Sequence, residues 1–253
     1  MSLTYTTNEL MAVTASRLLR DGENVVVGLG LPQIAALLAQ STHAPNLTII
    51  YEIGVINPEA EEMGVGVADP RLWYKGEHFT SFVGTLGAVL QKGLVDVGFL
   101  GGLQVDRYGN INSTMIKTEK GSRHINGSGG AADIATFAKR LLIMTRHEKR
   151  KIVDSLDYLT SVVYLRGYDS REKEGLPLPE DVKIITNLCV FGFDEETKSL
   201  KVVSIHPGVK LEDVIQNTGA SLDIKGEVKT TKEPTEKELD LLRNKIDPHR
   251  MYI

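Results

Sequence analysis

Hydrophobic and polar positions along the chain follow two periods in turn. From Thr7, TNELMAVTASRLLRDG places Leu10, Met11, Leu18 and Leu19 at helical spacing, with Thr7 able to cap the first turn and Gly22 to end it. NVVVGLG follows, a valine-rich run that predicts a buried strand. Pro32 then stands where proline suits the first turn of a helix, which IAALLAQ continues. Residues 46–51, NLTIIY, predict a second buried strand. Residues 95–100 and 141–145 repeat the pattern, with helix-like stretches at 80–91 and 131–140. Strands apolar on both faces, alternating with helices, predict an α/β fold with a mostly parallel sheet covered by helices on both faces.

The second half changes character. Residues 183–191 read as a strand, and FDEETKSLKVVSI as a β-hairpin. LEDVIQNTG reads as a short helix stopped by Gly219, and PTEKELDLLRNKID as a surface helix after a Lys/Thr-rich linker. The expected architecture is therefore an open α/β fold with a C-terminal hairpin and helices, one domain over 1–253. The glycine-containing loop 54–76 is long for a compact domain and reads as functional.

Composition narrows the classes. With 253 residues, 42% hydrophobic, 25% charged and a net charge of −4, the chain is that of a folded protein. A pI near 5.9 argues against a nucleic-acid or anionic-lipid partner. No apolar run reaches the roughly 18 residues of a membrane span. MSLTYTTNEL lacks the pattern of a signal peptide. The single cysteine, Cys189, forms no internal disulfide, sits in an apolar strand and reads as core. A cytoplasmic protein is expected.

The candidate chemistry lies in carboxylates, glycine loops and amides. None of the six histidines falls in HExxH or a metal-ligand spacing, so no metal is expected; GxSxG and Walker motifs are absent too. Gly28-Leu29-Gly30 follows a strand and opens a helix, either as a tight turn or as a ligand loop; Gln33 occupies the third glycine position of a dinucleotide fingerprint. Glu52 follows a buried strand and would project into the crevice where parallel sheets place ligands, or serve as a structural acid. Gly101 and Gly102 end a strand, and Gln104 beyond them could donate its amide to a substrate carbonyl or orient a carboxylate. Ser128, Gly129, Gly130 and Ala131 lead into a helix and form either a flexible loop or a nest of N–H donors for an oxyanion. Asp106 and Arg107 read as structural, and HEKRK at 147–151 as a solvated face.

GLGLPQ, IIYEIGVI, GGLQVDRYGNINST, GSGGAADIAT and IHPGVKLEDVIQNTG together resemble the B subunit of class I CoA-transferases, the glutaconate CoA-transferase branch above all, over nearly the whole chain. The resemblance implies that Glu52, in the E-x-G motif, is the nucleophile of ping-pong chemistry through a glutamyl anhydride and a glutamyl-CoA thioester. It places Gln104 and the loop Ser128, Gly129, Gly130, Ala131 at the acyl site. It further implies coenzyme A as substrate with no tightly bound cofactor, a free (di)carboxylic acid as acceptor, and activity only with an A subunit, in a heterotetramer or larger assembly. Two other readings stay open. One is a CoA-thioester hydrolase or decarboxylase on the same scaffold, whose members lack this glutamate. The other is a non-enzymatic dinucleotide- or CoA-binding module, suggested by Gly28 and Gly30 with an acid about 22 residues on, where the dinucleotide fingerprint expects roughly 20.

Overall fold

The computed structural model describes residues 4–59, 62–222, 224 and 226–253. The chain divides into two compact units, one holding residues up to Phe99 with Lys232–Ile253, the other Leu100–Thr231.

The first unit begins with α1 (Thr7–Ser16). Its cap is Thr6, one residue before the expected Thr7. Glu9 decides this: its N–H donates to the Thr6 hydroxyl at 3.1 Å while its carboxylate accepts the Thr6 N–H at 2.7 Å, a reciprocal pair that only the three-residue spacing allows. β1 (Asn24–Val27), α2 (Leu31–Gln40) and β2 (Thr48–Tyr51) fall where the apolar runs predicted them. Ala12, Ala15, Ala35, Ala36 and Ala39 are fully buried, so α1 and α2 lack bulky side chains there and can approach closely.

The segment expected as an open loop at 54–76 contains β3 (Val55–Ile56) and a 3₁₀ turn (Pro70–Trp73), and β4 (His78–Phe79) follows it. The helix expected over 80–91 is instead a π-helical segment, Gly84–Leu90. Its wider bonding shows in Gln91 N–H to Leu86 O at 3.1 Å. Gly84 and Gly87 weaken the ordinary α preference there. β5 (Val97–Gly101) pairs with β1, and the strand order in this unit is β5-β1-β2-β3-β4. β5, β1 and β2 are parallel, and β3 and β4 antiparallel.

The second unit contains β6 (Gln104–Asp106), β7 (Ile111–Asn112), β8 (Met115–Thr118) and β9 (Gly121–His124). α3 (Ala131–Phe137), β10 (Arg140–Met144), β11 (Ile152–Val153) and α4 (Ser170–Lys173) follow. Then come β12 (Asp181–Ile185), β13 (Cys189–Phe193), β14 (Leu200–Ile205), α5 (Leu211–Gln216) and β15 (Lys229–Thr230). Its larger sheet runs β15-β14-β13-β12-β10, with β10 and β12 parallel and the hairpin β13–β14 antiparallel.

The single strand expected at 183–191 is two antiparallel strands. Thr186 makes the reversal: its hydroxyl accepts the N–H groups of Leu188 (3.2 Å) and Cys189 (3.0 Å), an alternative to the ladder that an apolar pattern does not reveal. Cys189 is core, fully buried, and burial pushes its thiol up to about 12. His147 is buried between the hydroxyls of Thr186 (3.0 Å) and Thr218 (2.9 Å), and desolvation lowers its pKa to about 4.

The chain returns to the first unit through α6 (Glu236–Leu241), continued by a π-helical Leu242–Ile246. Of the helix expected on the surface, Leu239, Leu242 and Ile246 are buried. Arg243 reaches the buried Glu9 at 2.5 Å, and this pair, with the Thr6 N–H, holds the Glu9 carboxyl below its usual range against desolvation.

Candidate active site

Parallel pairing in the first unit sets Val27 beside Tyr51 at the ends of β1 and β2. Gly28 and Glu52 therefore emerge next to each other at the carboxyl edge of the sheet, where parallel strands present functional groups. Gly28 is exposed and has open space around it, whereas Gly30 is buried with φ +80° and starts α2 without a side-chain cap. The positive φ explains the glycine at 30.

Glu52 stands on a tight turn joining β2 to β3, not on a free strand end. Gly54 N–H donates to Tyr51 O at 2.9 Å and Tyr51 pairs with Val55, so residues 52–54 form the loop of a hairpin. Gly54 has φ +111°, and a Cβ there would lie 2.1 Å from Thr80 O. Thr80 N–H in turn donates to Gly54 O at 2.7 Å. Beyond Thr80, Ser81 binds the start of the π-helical segment: its hydroxyl accepts the Gly84 N–H (3.0 Å) and its carbonyl the Thr85 N–H (2.9 Å). The half-buried Glu52 is thus carried on backbone clamped by an adjacent strand end. Behind it, the Tyr51 hydroxyl is buried and its pKa raised by desolvation. Gln33 is fully buried, with neither side-chain amide atom in a good hydrogen bond.

In the second unit Gln104 is buried on β6. Its Oε1 accepts from Asn112 Nδ2 (2.8 Å) and Asp157 N (2.9 Å), and its Nε2 donates to Asp157 Oδ2 (3.1 Å). One amide N–H remains outside these bonds. Asp157 also accepts the Lys117 N–H at 3.0 Å, tying the exposed β8–β9 hairpin to Gln104. Ser128 and Gly129 are exposed, Gly130 is buried and Ala131 intermediate; Gly129 has φ +50°, and Ala131 N–H donates to Ser128 O at 3.0 Å. Gly130 opens α3 without a side-chain cap. At the other end of α3 the buried Arg171 donates to the carbonyls of Ala135 (3.1 Å) and Thr136 (2.9 Å), and also to those of Pro177, Val162 and Val163. A cation suits a helix C-terminus.

Gly28, Gly30 and Glu52 share one edge of the first unit's sheet, while Gln104, Ser128, Gly129, Gly130 and Ala131 belong to the second unit. Asp106 accepts the N–H groups of Tyr108 and Asn110, both at 2.9 Å, as a turn-forming acid. Thr80, Asp157 and Arg171 escape sequence reasoning because each acts by a long-range bond to backbone or amide and carries no local motif. Among the described residues no cluster of three or more His, Cys, Asp or Glu side chains could hold a metal ion. None of their helices is long and apolar enough to cross a membrane.

The comparisons with known proteins agree on one family. The chain matches the coenzyme A transferase family model over residues 8–217. It is 41% identical to the B subunit of 3-oxoadipate CoA-transferase from Pseudomonas knackmussii, covering 94% of this chain and 92% of that one. It is 34% identical to the B subunit of glutaconate CoA-transferase from Acidaminococcus fermentans, covering 98% and 95%. The crystal structure of glutaconate coenzyme A-transferase from A. fermentans superposes with a TM-score of 0.90 at 35% identity, covering 99% of this chain and 98% of that one. A parallel-dominated α/β sheet, an acid clamped at its carboxyl edge and a family match along most of the length lead to one assignment: the chain belongs to the coenzyme A transferase family, which moves CoA between an acyl-CoA and a carboxylic acid.

Proposed function

We propose that this chain is the B subunit of a CoA-transferase in which Glu52 is the covalent nucleophile. The observation that carries the reading is the clamped turn of residues 52–54, which holds a half-buried carboxylate beside Gly28. The Glu52 carboxylate adds to the thioester carbonyl of an acyl-CoA; the C–S bond breaks, releasing CoA thiolate and leaving a glutamyl–acyl anhydride. The thiolate then adds to the Glu52 carbonyl, expelling the first acid and forming a glutamyl-CoA thioester. The acceptor acid takes CoA by the reverse steps, and Glu52 is regenerated. The anhydride keeps the acyl group activated, so neither ATP nor metal enters the balance.

Gly28 and Gly30 give backbone access for the CoA chain. Within the second unit, the N–H groups around Ser128, Gly129, Gly130 and Ala131 and the remaining Gln104 N–H are donors of the kind an oxyanion takes up. A well-placed donor of this kind is worth about 3–4 kcal/mol. Residues 1–253 act together as one subunit domain, with an A subunit completing the site in a heterotetramer or larger assembly. Two features support a partner chain. The 3-oxoadipate and glutaconate relatives are themselves subunits. The segment after Glu52 also exposes Val65, Trp73, Phe79, Phe82 and Val83. Glutaconate and 3-oxoadipate, the acids in those relatives' names, are both dicarboxylates, and a dicarboxylic acid is the acceptor class we assign. A free, buried Cys189 supports a cytoplasmic setting.

The test is to co-express the chain with an A subunit from the same genome, add acyl-CoA and map peptides by mass. CoA, or a borohydride-reduced product, on Glu52 is expected, and Glu52→Ala should abolish transfer. Full transfer by Glu52→Ala would overturn the assignment, and acyl-CoA consumed equally without acceptor would favour a hydrolase.

A further inference from the structure

The segment 247–253 ends in a hook whose geometry exceeds what a surface tail needs. Asp247 is 1% exposed, and its carboxylate accepts the N–H groups of Met251 (2.8 Å), Tyr252 (2.8 Å) and Ile253 (3.3 Å). Asn8 Nδ2 adds a bond to Tyr252 O at 2.7 Å. The backbone of Tyr252 is thereby held on both sides, and its side chain is presented in one place. That place is the glycine turn: the Tyr252 ring is the nearest group to Gly30, 3.5 Å from where a Cβ would stand. The hydroxyl passes on to Gly64, donating to its carbonyl at 2.7 Å.

Gly64 belongs to the segment 62–76, between β3 and β4. This segment is folded on itself. Asp69 accepts the Val65 N–H at 2.9 Å and pairs with Arg71, Asp69 N–H donates to Gly66 O at 2.9 Å, and Met63 and Leu72 are buried. A Cβ on Gly64 would lie 2.6 Å from the Leu72 side chain and 3.4 Å from that of Leu29, so the segment rests on the glycine turn itself. Past β4 the chain reaches Thr80, which clamps Gly54 under Glu52. The segment is thus fixed to the glycine turn beside Glu52, through Leu29 and Tyr252, and the chain leaving it runs through β4 to Thr80 against the turn that carries Glu52. A compact surface loop packed by its own side chains is frequently functional.

We propose that Tyr252 is a positioning residue that latches the segment 62–76 onto the glycine turn, and that this latch protects the acyl intermediate on Glu52 from water. The inference rests on the reading of Glu52 as nucleophile. If water adds to the acyl carbonyl of the anhydride, the bond to the Glu52 oxygen breaks, the free acid leaves and the carboxylate is regenerated with CoA as thiol. The net reaction is then acyl-CoA plus water to acid plus CoA. The latch biases the intermediate toward the thiolate and away from this route.

The experiment measures a ratio: acyl-CoA hydrolysed without acceptor against CoA transferred with saturating acceptor, on the co-expressed complex with the A subunit. Tyr252→Phe removes only the hydroxyl. A net hydrogen bond of ordinary strength corresponds to about a three- to tenfold change in the closed-to-open ratio. With the closed state dominant, the open fraction, and with it the hydrolysis-to-transfer ratio, should rise by about that factor. Tyr252→Ala, losing the ring on Gly30 as well, should raise it further. A merely structural role would lower both reactions together through the amount of folded enzyme and leave the ratio unmoved. An unchanged ratio in an actively transferring Tyr252→Phe complex overturns the latch alone. Failure of the unaltered complex to transfer CoA overturns the reading of Glu52 beneath it.

Discussion

Replacing Gly54 by alanine tests whether the Glu52 turn is rigid because of Thr80. Alanine there meets two penalties. At φ +111° a side chain occupies a region that glycine alone adopts easily, at a cost of about 1–3 kcal/mol. The new Cβ would also stand 2.1 Å from Thr80 O and 2.6 Å from Thr80 C, both backbone atoms, so the strand end at 80 must withdraw by about 1 Å to reach van der Waals contact. That movement breaks the 2.7 Å bond from Thr80 N–H to Gly54 O, worth about 1 kcal/mol. Together these give a loss of about 2–4 kcal/mol, less than the roughly 5–15 kcal/mol of a typical domain, so the variant should remain folded. Urea denaturation of the purified chain should show a lower midpoint with an unchanged slope. Covalent labelling of Glu52 by acyl-CoA in the complex should fall further than stability does, because the carboxylate moves with the turn. A stability loss below about 0.5 kcal/mol, or full labelling, would refute the clamp.

Gly28→Ala makes the contrast: its surroundings are open, so stability should stay within about 0.5 kcal/mol, while the KM for acyl-CoA in the complex rises if backbone access there serves CoA. Arg171→Met strands five carbonyls that the guanidinium now satisfies. At about 1–3 kcal/mol for each buried unsatisfied group, soluble expression should collapse, and recovery of a stable chain would count against it. His147 has a folded pKa near 4, below its unfolded 6.5. Its contribution is complete above pH 6.5 and is lost as the pH falls through about 4, about 3 kcal/mol in all. Asp106, raised to about 6 by burial, works in the opposite sense, its contribution being present at low pH and lost as the pH rises through about 6. Between pH 6 and 4 the two largely offset. His147→Gln should therefore gain about 3 kcal/mol relative to the unaltered chain between pH 6.5 and 4, read by urea midpoints; parallel curves would refute the assignment.

Positions legible from the sequence are those fixed by neighbours a few residues away. β1 and β2 follow from unbroken apolar runs, and Gly28 and Gly30 from the strand-to-helix change around Pro32. That Glu52 lies just past the carboxyl end of β2 could be read from the apolar run before it. What could not be read depends on bonds across long stretches of chain. Residues 52–54 look like the start of an open loop until Thr80, far along the chain, is seen packed on Gly54. Residues 183–191 look like one strand because a threonine hydroxyl that reverses the chain fits an apolar run as well as one that faces outward. Gln104 reads as a free amide, yet Asp157, 53 residues away, takes up half of its donors.

The same division bears on chemistry. In the proposed reaction the carboxylate nucleophile draws on activation already present in its electrophile, an acyl thioester whose leaving group is the CoA thiolate. What it needs is position and protection. On the reading proposed above, position at Glu52 comes from the Thr80–Gly54 contact, and protection from the Tyr252 latch on Gly64. Both are contacts of backbone or hydroxyl with groups remote in sequence. A relative could keep the E-x-G motif and still lose transferase behaviour if Thr80 shifted or Tyr252 were absent. It would then lose its acyl intermediate to water. On the proposed reading, the residue that forms the anhydride lies on a local motif, whereas the residues that decide what attacks it are set by the fold.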